Sequence, residues 1–237
     1  MIRTAPLEQA ELAIIGAGCA GLSLARQLVR TEKTSSIKAC LYGPVSPAAT
    51  NRHSWGFWAT QGLKEQTELA RQRWHKWQII TAERKVTQTA DSHPYCRLDS
   101  RDWLTHCLNI IDGNIQQEPD NLPTPGAKPV FDSRPPNVPD GAMLQHFKGV
   151  EIKAAQPCFS PDTAILMDFR CDQSRGIHFI YLLPYSPTEA LVESTMLSPK
   201  RQNDEFYAEA IKTYLETYWA TGGCLLYTSD AADDGYR

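Results

Sequence analysis

The first hydrophobic run of the chain is short and leads directly into a glycine-rich turn. Residues 11–15 (ELAII) have the apolar composition of a buried parallel strand. Residues 22–30 then place apolar side chains at helical spacing, and residues 37–42 form a second apolar run. The pattern predicts a strand, a turn, a helix and a strand within about 30 residues, which is the βαβ unit of a dinucleotide-binding fold.

The middle of the chain predicts two helices separated by a hairpin. Residues 62–77 place apolar side chains at helical spacing, and residues 77–89 fit two strands around a polar turn. Ser100 is a suitable N-cap for a helix through residue 110. Residues 112–128 are rich in Pro, Gly, Asn and Gln, which predicts a loop or an edge hairpin.

The last part of the chain is rich in strand patterns. Residues 129–132 predict a short strand that stops at a charged turn. Longer apolar runs follow at residues 144–153, 164–170, 177–183 and 190–196. Asn203 is a suitable N-cap for a final helix through residue 220. The order of elements predicts an α/β fold, in which a Rossmann-like βαβ domain carries an appended, mainly antiparallel β-sheet substrate domain.

Changes in pattern divide the chain into four predicted segments. They are residues 1–60, an N-terminal βαβ cofactor-binding segment; residues 61–136, a helix and hairpin region that returns to the dinucleotide domain; residues 137–223, a mainly β substrate and catalytic region with a helix; and residues 224–237, a non-native tail.

The tail is set apart because residues 224–233 (CLLYTSDAAD) match the translation of a transposon-type sequencing adapter. The alternative is a genuine short strand followed by an acidic tail. On the adapter interpretation, we expect the natural sequence to be interrupted near Gly223.

The glycine pattern has a direct physical interpretation. Gly16 allows the tight turn, Gly18 lets a pyrophosphate approach the backbone, and Gly21 lets the helix pack close to the strand. The free N–H groups and the positive dipole end of the following helix favour phosphate binding. The alternative interpretation is a glycine turn that only permits tight packing.

One feature departs from the dinucleotide-binding pattern. A carboxylate that holds a ribose hydroxyl is expected at the end of the second strand. That position falls near Gly43, where the sequence is Leu-Tyr-Gly-Pro and contains no acidic residue. Ribose recognition is therefore either supplied elsewhere or weaker.

Composition narrows the class of protein further. The 237 residues carry 24 Lys+Arg and 27 Asp+Glu, so a net charge of −3 argues against a nucleic-acid binder. No apolar run approaches the ~20 residues of a membrane span, and the first residues do not resemble a secretory signal. The seven cysteines are scattered and show neither a metal-binding nor a disulfide spacing. We therefore expect a cytoplasmic protein without a metal site, and its composition is compatible with peripheral contact to the inner face of a membrane.

Several segments together resemble the bacterial lycopene β-cyclase family of carotenoid biosynthesis. They are IIGAGCAGLSLA (14–25), RHSWGFW (52–58), VFDSRPP (130–136), MLQHFKGVEI (143–152), ILMDFR (165–170) and IHFIYLLPYSPTEALVEST (177–195). The resemblance implies an FAD enzyme that converts the acyclic ψ-ends of lycopene, an apolar carotenoid, into β-ionone rings. The reaction is redox-neutral, of an intramolecular lyase or isomerase type, and NAD(P)H is needed only to reduce the flavin.

The resemblance also implies roles for individual residues. Glu193, in the short motif Glu-Ser-Thr, corresponds to the family's catalytic acid, which protonates the terminal alkene while reduced FAD stabilises the carbocation. Strand alternation predicts that Leu191, Glu193 and Thr195 share one face.

The remaining candidate residues are less specific. Asp132 and Arg134 are expected near the cofactor or, alternatively, in a structural turn salt bridge. His53, Trp55, Phe57 and Tyr181 are candidates for the substrate pocket, although aromatic clusters are more often plain core. Two alternative functions stay open: a related flavoprotein of the monooxygenase or geranylgeranyl reductase type, and a fragment that is not catalytically competent.

Overall fold

The structure is a computed structural model of the chain, and it describes residues 10–44, 53–123, 129–219 and 225–227. Its contacts divide the chain into two compact units. Unit 1 consists of Met1–Thr50 and Ser100–Pro136, and unit 2 consists of Asn51–Asp99 and Asn137–Arg237. Residues 61–99 therefore group with unit 2, whereas the predicted limits grouped them with residues 100–136.

The strands, in chain order, are β1 (Leu12–Ile15), β2 (Ala39–Tyr42), β3 (Ser54–Trp58), β4 (Gln72–Trp74), β5 (Lys76–Ile80), β6 (Lys85–Thr89), β7 (Tyr95–Asp99), β8 (Gln116–Glu118), β9 (Val130–Asp132), β10 (Leu144–Lys153), β11 (Thr163–Asp168), β12 (Ile177–Pro184), β13 (Glu189–Ser198) and β14 (Leu225–Tyr227). The α-helices are α1 (Cys19–Arg30), α2 (Lys64–Leu69), α3 (Ser100–Ile111) and α4 (Asp204–Tyr218), and a short 3₁₀ helix spans Gln61–Leu63.

Within the described residues, unit 1 is built on a four-stranded sheet whose strands all run parallel, in the order β8-β2-β1-β9. Every residue of β1 and β2 is buried, as expected for inner strands of a parallel sheet. The helices α1 and α3 pack together, and the Trp103 indole of α3 donates a 2.9 Å hydrogen bond to Ser23 of α1. The predicted strand–turn–helix–strand order at the start of the chain is confirmed.

The strand β8 corrects the prediction for residues 112–128. The sequence predicts a loop or an edge hairpin there, but Gln116–Glu118 pairs in parallel with β2 and extends the sheet. The pattern is misleading because an edge strand is defined by its backbone pairing, and Gln-Gln-Glu has no apolar residue to mark it. Residues 124–128 lie outside the described part of the chain.

Unit 2 contains, in the part of the chain that the structure describes, a seven-stranded sheet in the order β14-β10-β13-β12-β11-β5-β6. Its neighbouring strands are antiparallel except for β11 and β5. Helix α4 covers one face, where Ile211, Tyr214 and Leu215 pack on Val150 and Val192. The mainly antiparallel second sheet is as predicted, and the whole arrangement confirms the α/β fold class.

Asn203 caps α4 as predicted, because its side chain accepts a hydrogen bond from the Phe206 N–H at 3.2 Å. The inner face of the helix consists of Tyr207, Ile211, Tyr214 and Leu215, which are all buried. Tyr207 is buried, whereas Phe206 is half-buried. The hydroxyl of Tyr207 bonds to the buried imidazole of His146, so its polar tip is satisfied inside the unit.

A smaller sheet, β3-β7-β4, belongs to the same unit and is fastened to the large sheet by polar contacts. Arg97 of β7 donates to Glu151 of β10 at 3.1 Å and to Ser54 at 2.9 Å, and its guanidinium lies over the Tyr185 ring. The buried Trp74 indole donates to the Pro184 carbonyl at 3.0 Å. These bonds fix the position of β4 and β7 beside the end of β12.

The helix predicted over residues 62–77 is wrong beyond Leu69. The structure has a short 3₁₀ turn, the six-residue helix α2 and then the strands β4 and β5. Trp74 and Trp77, whose spacing suggested one face of a helix, lie on two different strands, β4 and β5. Both pack at the same apolar cluster. Pairing with neighbouring strands outweighs the weak local preference of this segment. The following hairpin, β5–β6, is confirmed.

The tail contributes one described element. Leu225–Tyr227 forms β14, which pairs antiparallel with residues 151–153 at the edge of the large sheet. Such backbone pairing is open to any short apolar segment, so the origin of residues 224–237 stays a prediction. None of the helices in the described ranges combines the length and the apolar composition that a membrane span requires.

A buried ion pair beneath α4 gives the first testable prediction. Asp168 is fully buried and accepts hydrogen bonds from Arg170 at 2.6 and 2.9 Å and from the Tyr214 hydroxyl at 2.8 Å. We expect Arg170→Ala to lower the free energy of unfolding by about 3–5 kcal/mol, because it leaves a buried carboxylate without its counter-charge. Urea denaturation of the full chain measures the change.

The matched control is Arg175→Ala, which removes the same side chain from an exposed position. We expect that change to cost less than about 1 kcal/mol. Equal losses from the two substitutions would contradict the importance of the pair with Asp168.

Candidate functional site

The turn between β1 and α1 is shaped by three glycines. Gly16 has a φ of +98°, a left-handed conformation that favours glycine. Gly18 is the N-cap residue of α1. A Cβ atom on Gly21 would overlap the carbonyl oxygen of Gly16, so only glycine allows the helix to pack this closely on the turn. The three glycines lie where the sequence places them, between the first strand and the first helix.

The space in front of Gly18 is open. A Cβ atom built on Gly18 meets no atom within 4 Å among the described residues. The first N–H groups of α1 have no partners within the helix, and its dipole is positive at this end. A diphosphate fits such a position, because glycine allows its close approach and the helix end supplies donors. The residues present therefore fit the pyrophosphate of a dinucleotide such as FAD.

Ser133, which the sequence analysis overlooked, fastens β9 to this turn. Its hydroxyl and its backbone N–H both donate to the carbonyl of Ile15, at 2.8 and 2.9 Å. The Ser133 Oγ is also the atom that a Cβ on Gly16 would strike. Its place directly after a predicted strand, in the segment VFDSRPP, was the available signal.

Asp132 and Arg134 form a bidentate ion pair at the end of β9. The Arg134 Nε and Nη2 atoms donate to the two carboxylate oxygens at 2.9 and 2.6 Å. These hydrogen bonds hold the pKa of Asp132 below its usual value. Both side chains are substantially exposed, so the pair contributes little to stability. The pair has the geometry of a turn salt bridge and stands at the sheet edge where the glycine turn lies, so both predicted roles stay open.

Glu193 lies in the middle of β13, on the strand face opposite α4. Its direct partners are Gly149 on β10 and Tyr181 on β12. Thr195, on the same face, donates a hydrogen bond to Glu193 Oε1 at 2.8 Å. Leu191 belongs to the apolar cluster of this face. The predicted alternation of residues 191, 193 and 195 is therefore present in the structure.

Gly149 leaves room for the carboxyl group. A Cβ atom at this position would lie 3.5 Å from Glu193 Oε2 and 3.3 Å from the Leu191 side chain. Any larger side chain would press on the glutamate. The absence of a side chain across the strand pair thus creates the space in which the carboxyl group lies.

The environment of Glu193 favours the protonated form. Burial raises its pKa to about 7, and the hydrogen bond from Thr195 acts in the opposite direction. The residue as a whole has intermediate exposure, so part of it stays accessible. A carboxylic acid with this pKa can hold and release a proton near neutral pH.

Aromatic rings surround this acid. Trp74, Trp77, Tyr95 and Tyr181 belong to or pack against the same cluster as Leu191. Trp58 contacts Trp77 and Tyr95 edge-on, with ring centroids 5.6 and 5.1 Å apart. Burial and the nearby charge of Glu193 both raise the pKa of Tyr95 and of Tyr181. These groups are therefore neutral phenols beside the acid.

The structure places one of the four predicted substrate-pocket residues directly beside Glu193. Tyr181 lies directly opposite Glu193. Trp55 and Phe57 are on β3, but they alternate with Trp58 and therefore lie on the other face of the small sheet. His53 immediately precedes β3. Among the described residues 53–58, Trp58 is the ring that contacts the aromatic cluster beside Glu193.

The rings on β4, β5 and β7 were missed as site residues. Trp74 and Trp77 appeared in the sequence as the apolar face of a helix, and Tyr95 carried no signal of its own. Gly56 offered one indirect clue, since a Cβ there would overlap the Tyr95 hydroxyl. A glycine opposite an aromatic side chain indicates such a contact only when the pairing of the two strands is already known.

The chain has curated relatives that are lycopene beta-cyclases. The protein of Pantoea ananas is 26% identical over 200 residues, which cover 78% of this chain and 51% of that protein. The protein of Paracoccus sp. (strain N81106 / MBIC 01143) is 39% identical over 80 residues, or 33% of this chain and 20% of that protein. This chain spans about half the length of the first relative, and its match to the second is shorter.

Two solved structures illustrate the fold that this chain shares with other proteins. A geranylgeranyl bacteriochlorophyll reductase-like protein from Thermoplasma acidophilum has a TM-score of 0.65 at 11% identity, covering 92% of this chain and 64% of that one. The halogenase PltM, solved in complex with phloroglucinol and FAD, has a TM-score of 0.60 at 10% identity, covering 93% and 59%. At these identities the likeness establishes the fold.

The family comparison extends over nearly the whole chain. The protein-family model described as "Lycopene cyclase protein" matches residues 11–111 and 118–226. Both the glycine turn and the strand that carries Glu193 lie within the matched residues. The chain belongs to the lycopene cyclase family.

Proposed function

We propose that this chain carries the cofactor turn and the acid of a flavin-dependent lycopene cyclase, which closes the acyclic ψ-ends of lycopene into β-ionone rings. The observation that supports this most is Glu193, a carboxyl group with a raised pKa beside a cluster of apolar and aromatic side chains. A carotene end group is apolar, and its cyclization begins with a proton.

The proposed cofactor is FAD, held at its diphosphate by the glycine turn and the N-terminus of α1. The open space before Gly18 supports this assignment. Reduced FAD, when bound, would supply negative charge that stabilises a carbocation, and NAD(P)H would serve as the reductant of the flavin. Asp132 and Arg134 are proposed to lie near the cofactor, since their strand ends beside the same turn.

Glu193 is proposed to act as the general acid. In its protonated form, Oε1 accepts the hydrogen bond from Thr195, and the other oxygen carries the proton toward the terminal alkene. The neighbouring rings, including Tyr181, exclude water and offer π-faces that favour positive charge. The proton lost from the carbon next to the cation restores the protonated acid, so one proton is added and one is removed and the reaction has no net redox change.

The partners follow from this chemistry. The proposed substrate is an apolar carotenoid that dissolves in lipid, so we propose a cytoplasmic protein with peripheral contact to the inner face of the membrane. Nucleic acid is not a proposed partner, given the net charge of −3.

The first test of the function uses Glu193→Gln. The change keeps the shape of the side chain and removes the transferable proton, so we expect cyclization to fall by about 10²–10⁴-fold. The full chain, loaded with reduced FAD, is incubated with lycopene in liposomes, and the carotenes are separated by chromatography. A chimera in which residues 11–219 replace the matching part of the Pantoea ananas protein provides the assay in a chain of complete length.

The matched control is Glu189→Gln, an exposed position on the same strand that pairs with Lys153. It should keep its activity. A cyclic product has the mass of lycopene, whereas a heavier product would favour the monooxygenase or reductase alternative. Cyclization of lycopene at the original rate by the Glu193→Gln variant would remove Glu193 from the mechanism.

The raised pKa of Glu193 predicts a pH-dependent stability. The folded protein keeps the proton to about pH 7, while the unfolded chain releases it near pH 4.5, so the contribution is complete at low pH and declines as the pH rises between these values. Relative to Glu193→Gln, we expect the free energy of unfolding to fall by on the order of 3 kcal/mol from pH 4 to pH 8.

Urea denaturation of both proteins across this range measures the difference, and subtraction of the Gln variant removes the titration of all other groups. A difference that does not change with pH would indicate a hydrated carboxylate with the same pKa in the folded and unfolded chain, and would contradict the proposed environment of the acid.

A substitution at Gly18 should remove FAD binding without changing the fold. Gly18→Val should fold normally, because the φ of Gly18 is −85° and its new side chain enters open space. It should nevertheless abolish FAD binding, because the side chain fills the space that the phosphates require. Circular dichroism reports the fold, and flavin fluorescence quenching reports the affinity.

Gly62→Val is the matched control, since a Cβ atom there also meets nothing within 4 Å and the residue lies in the 3₁₀ turn of unit 2. It should bind FAD like the unchanged chain. Retention of flavin by the Gly18→Val variant would exclude this turn as the diphosphate site.

A further inference from the structure

The second strand of unit 1 has no carboxylate where dinucleotide-binding folds usually place one. Tyr42, its last residue, has a buried side chain. The next residue, Gly43, has a φ of +113°, and a Cβ atom built on it would lie 3.6–3.8 Å from the backbone of Gly16 and Ala17. A side chain at position 43 would be strained by this conformation. The backbone conformation at the end of β2 is therefore unfavourable for an acidic residue.

An acidic residue ends the neighbouring strand instead. β8 runs parallel to β2, and Glu118 lies directly beside Tyr42 in the register. The Gly43 N–H donates to the Glu118 carbonyl at 3.1 Å. Because parallel strands end at the same edge of a sheet, Glu118 lies at the edge that carries the glycine turn, one strand spacing (about 4.8 Å) from β2.

The carboxylate of Glu118 is oriented and keeps free acceptor capacity. Oε1 accepts from the Gln116 amide at 2.7 Å, and Oε2 accepts from the Asn121 amide at 3.0 Å. Both donors are neutral, so the negative charge is not cancelled, and these bonds also lower the pKa of Glu118. An ionised carboxylate has about four lone-pair sites, so two remain for other donors. The residue is half-buried and accessible.

We propose that Glu118 accepts hydrogen bonds from the ribose hydroxyls of the adenosine half of FAD, and so replaces the missing carboxylate of β2. The inference rests on the proposed FAD binding. A ribose diol presents two neighbouring donors, which suits a carboxylate with two free lone pairs. Gln116 and Asn121 act as positioning residues, because each holds one oxygen of the carboxylate.

The decisive experiment compares FAD with an FAD analogue that lacks the 2′-hydroxyl of its adenosine ribose. Dissociation constants are measured by fluorescence quenching for the full chain and for Glu118→Gln. We expect Glu118→Gln to weaken FAD binding by about 10- to 100-fold, the range for a hydrogen bond to a charged group. We expect the analogue to bind weakly to the unchanged chain and to lose little more affinity in the variant.

Glu11→Gln is the matched control. Glu11 precedes β1, at the end of the same sheet where the strands begin. Its carboxylate also accepts a hydrogen bond, from the Lys38 N–H at 3.1 Å. This variant should bind both ligands like the unchanged chain. Glu118→Asp provides a second variant, which keeps the charge and should bind FAD more tightly than the Gln variant does.

Each outcome bears on one hypothesis. Equal FAD affinity of the unchanged chain and Glu118→Gln would overturn the role of Glu118 and leave the cofactor proposal intact. A loss of affinity that is equal for FAD and for the analogue would assign Glu118 a structural role and also overturn the inference. Failure of the unchanged chain to bind FAD at all would overturn the proposed cofactor itself.

Discussion

The carboxyl group of Glu193 imposes the main constraint on unit 2, because it must lie inside an apolar sheet without entering the core on the other side. β13 pairs with β10 along its full length and with β12 over residues 190–197, which fixes its register on both sides. A slip of one residue would turn Glu193 toward Ile211 and Tyr214 of α4 and bring Val192 to the aromatic face. Long pairing on both edges is what makes an acid in this place compatible with a stable fold.

In unit 1 the main constraint is the close approach of backbone segments, which glycine residues allow. Its sheet edge brings backbone atoms together at Gly16, Gly21 and Gly43, each of which lies near another main-chain segment. Close approach of this kind leaves little space for side chains on the two inner strands. Polar groups at that edge are therefore supplied by the outer strands, through Ser133 after β9 and Glu118 at the end of β8. The inner strands therefore supply closely packed backbone, and the outer strands supply the polar side chains.

The elements with strong local signals could be predicted from the sequence. The glycine turn, the cap at Asn203 and the long strands β10 and β13 follow from spacing and side-chain chemistry that act within a few residues. The strands β4 and β8 could not be predicted, because only pairing with distant segments defines them. Glu193 was identifiable as a candidate acid through the resemblance of its motif to the family, whereas Tyr95 and Trp58 come together only when their two strands pair.

The hydrogen bond from Thr195 has a consequence for stereochemistry. By donating to Oε1, Thr195 leaves Oε2 as the oxygen that bears the acidic hydrogen, and Gly149 faces that oxygen across the strand pair. The two oxygens of the carboxyl group are therefore not equivalent. In the proposed role of Glu193, a proton that leaves from one fixed oxygen would reach a planar alkene from a single side, so the new C–H bond would take one of the two prochiral positions of the CH2 group that forms.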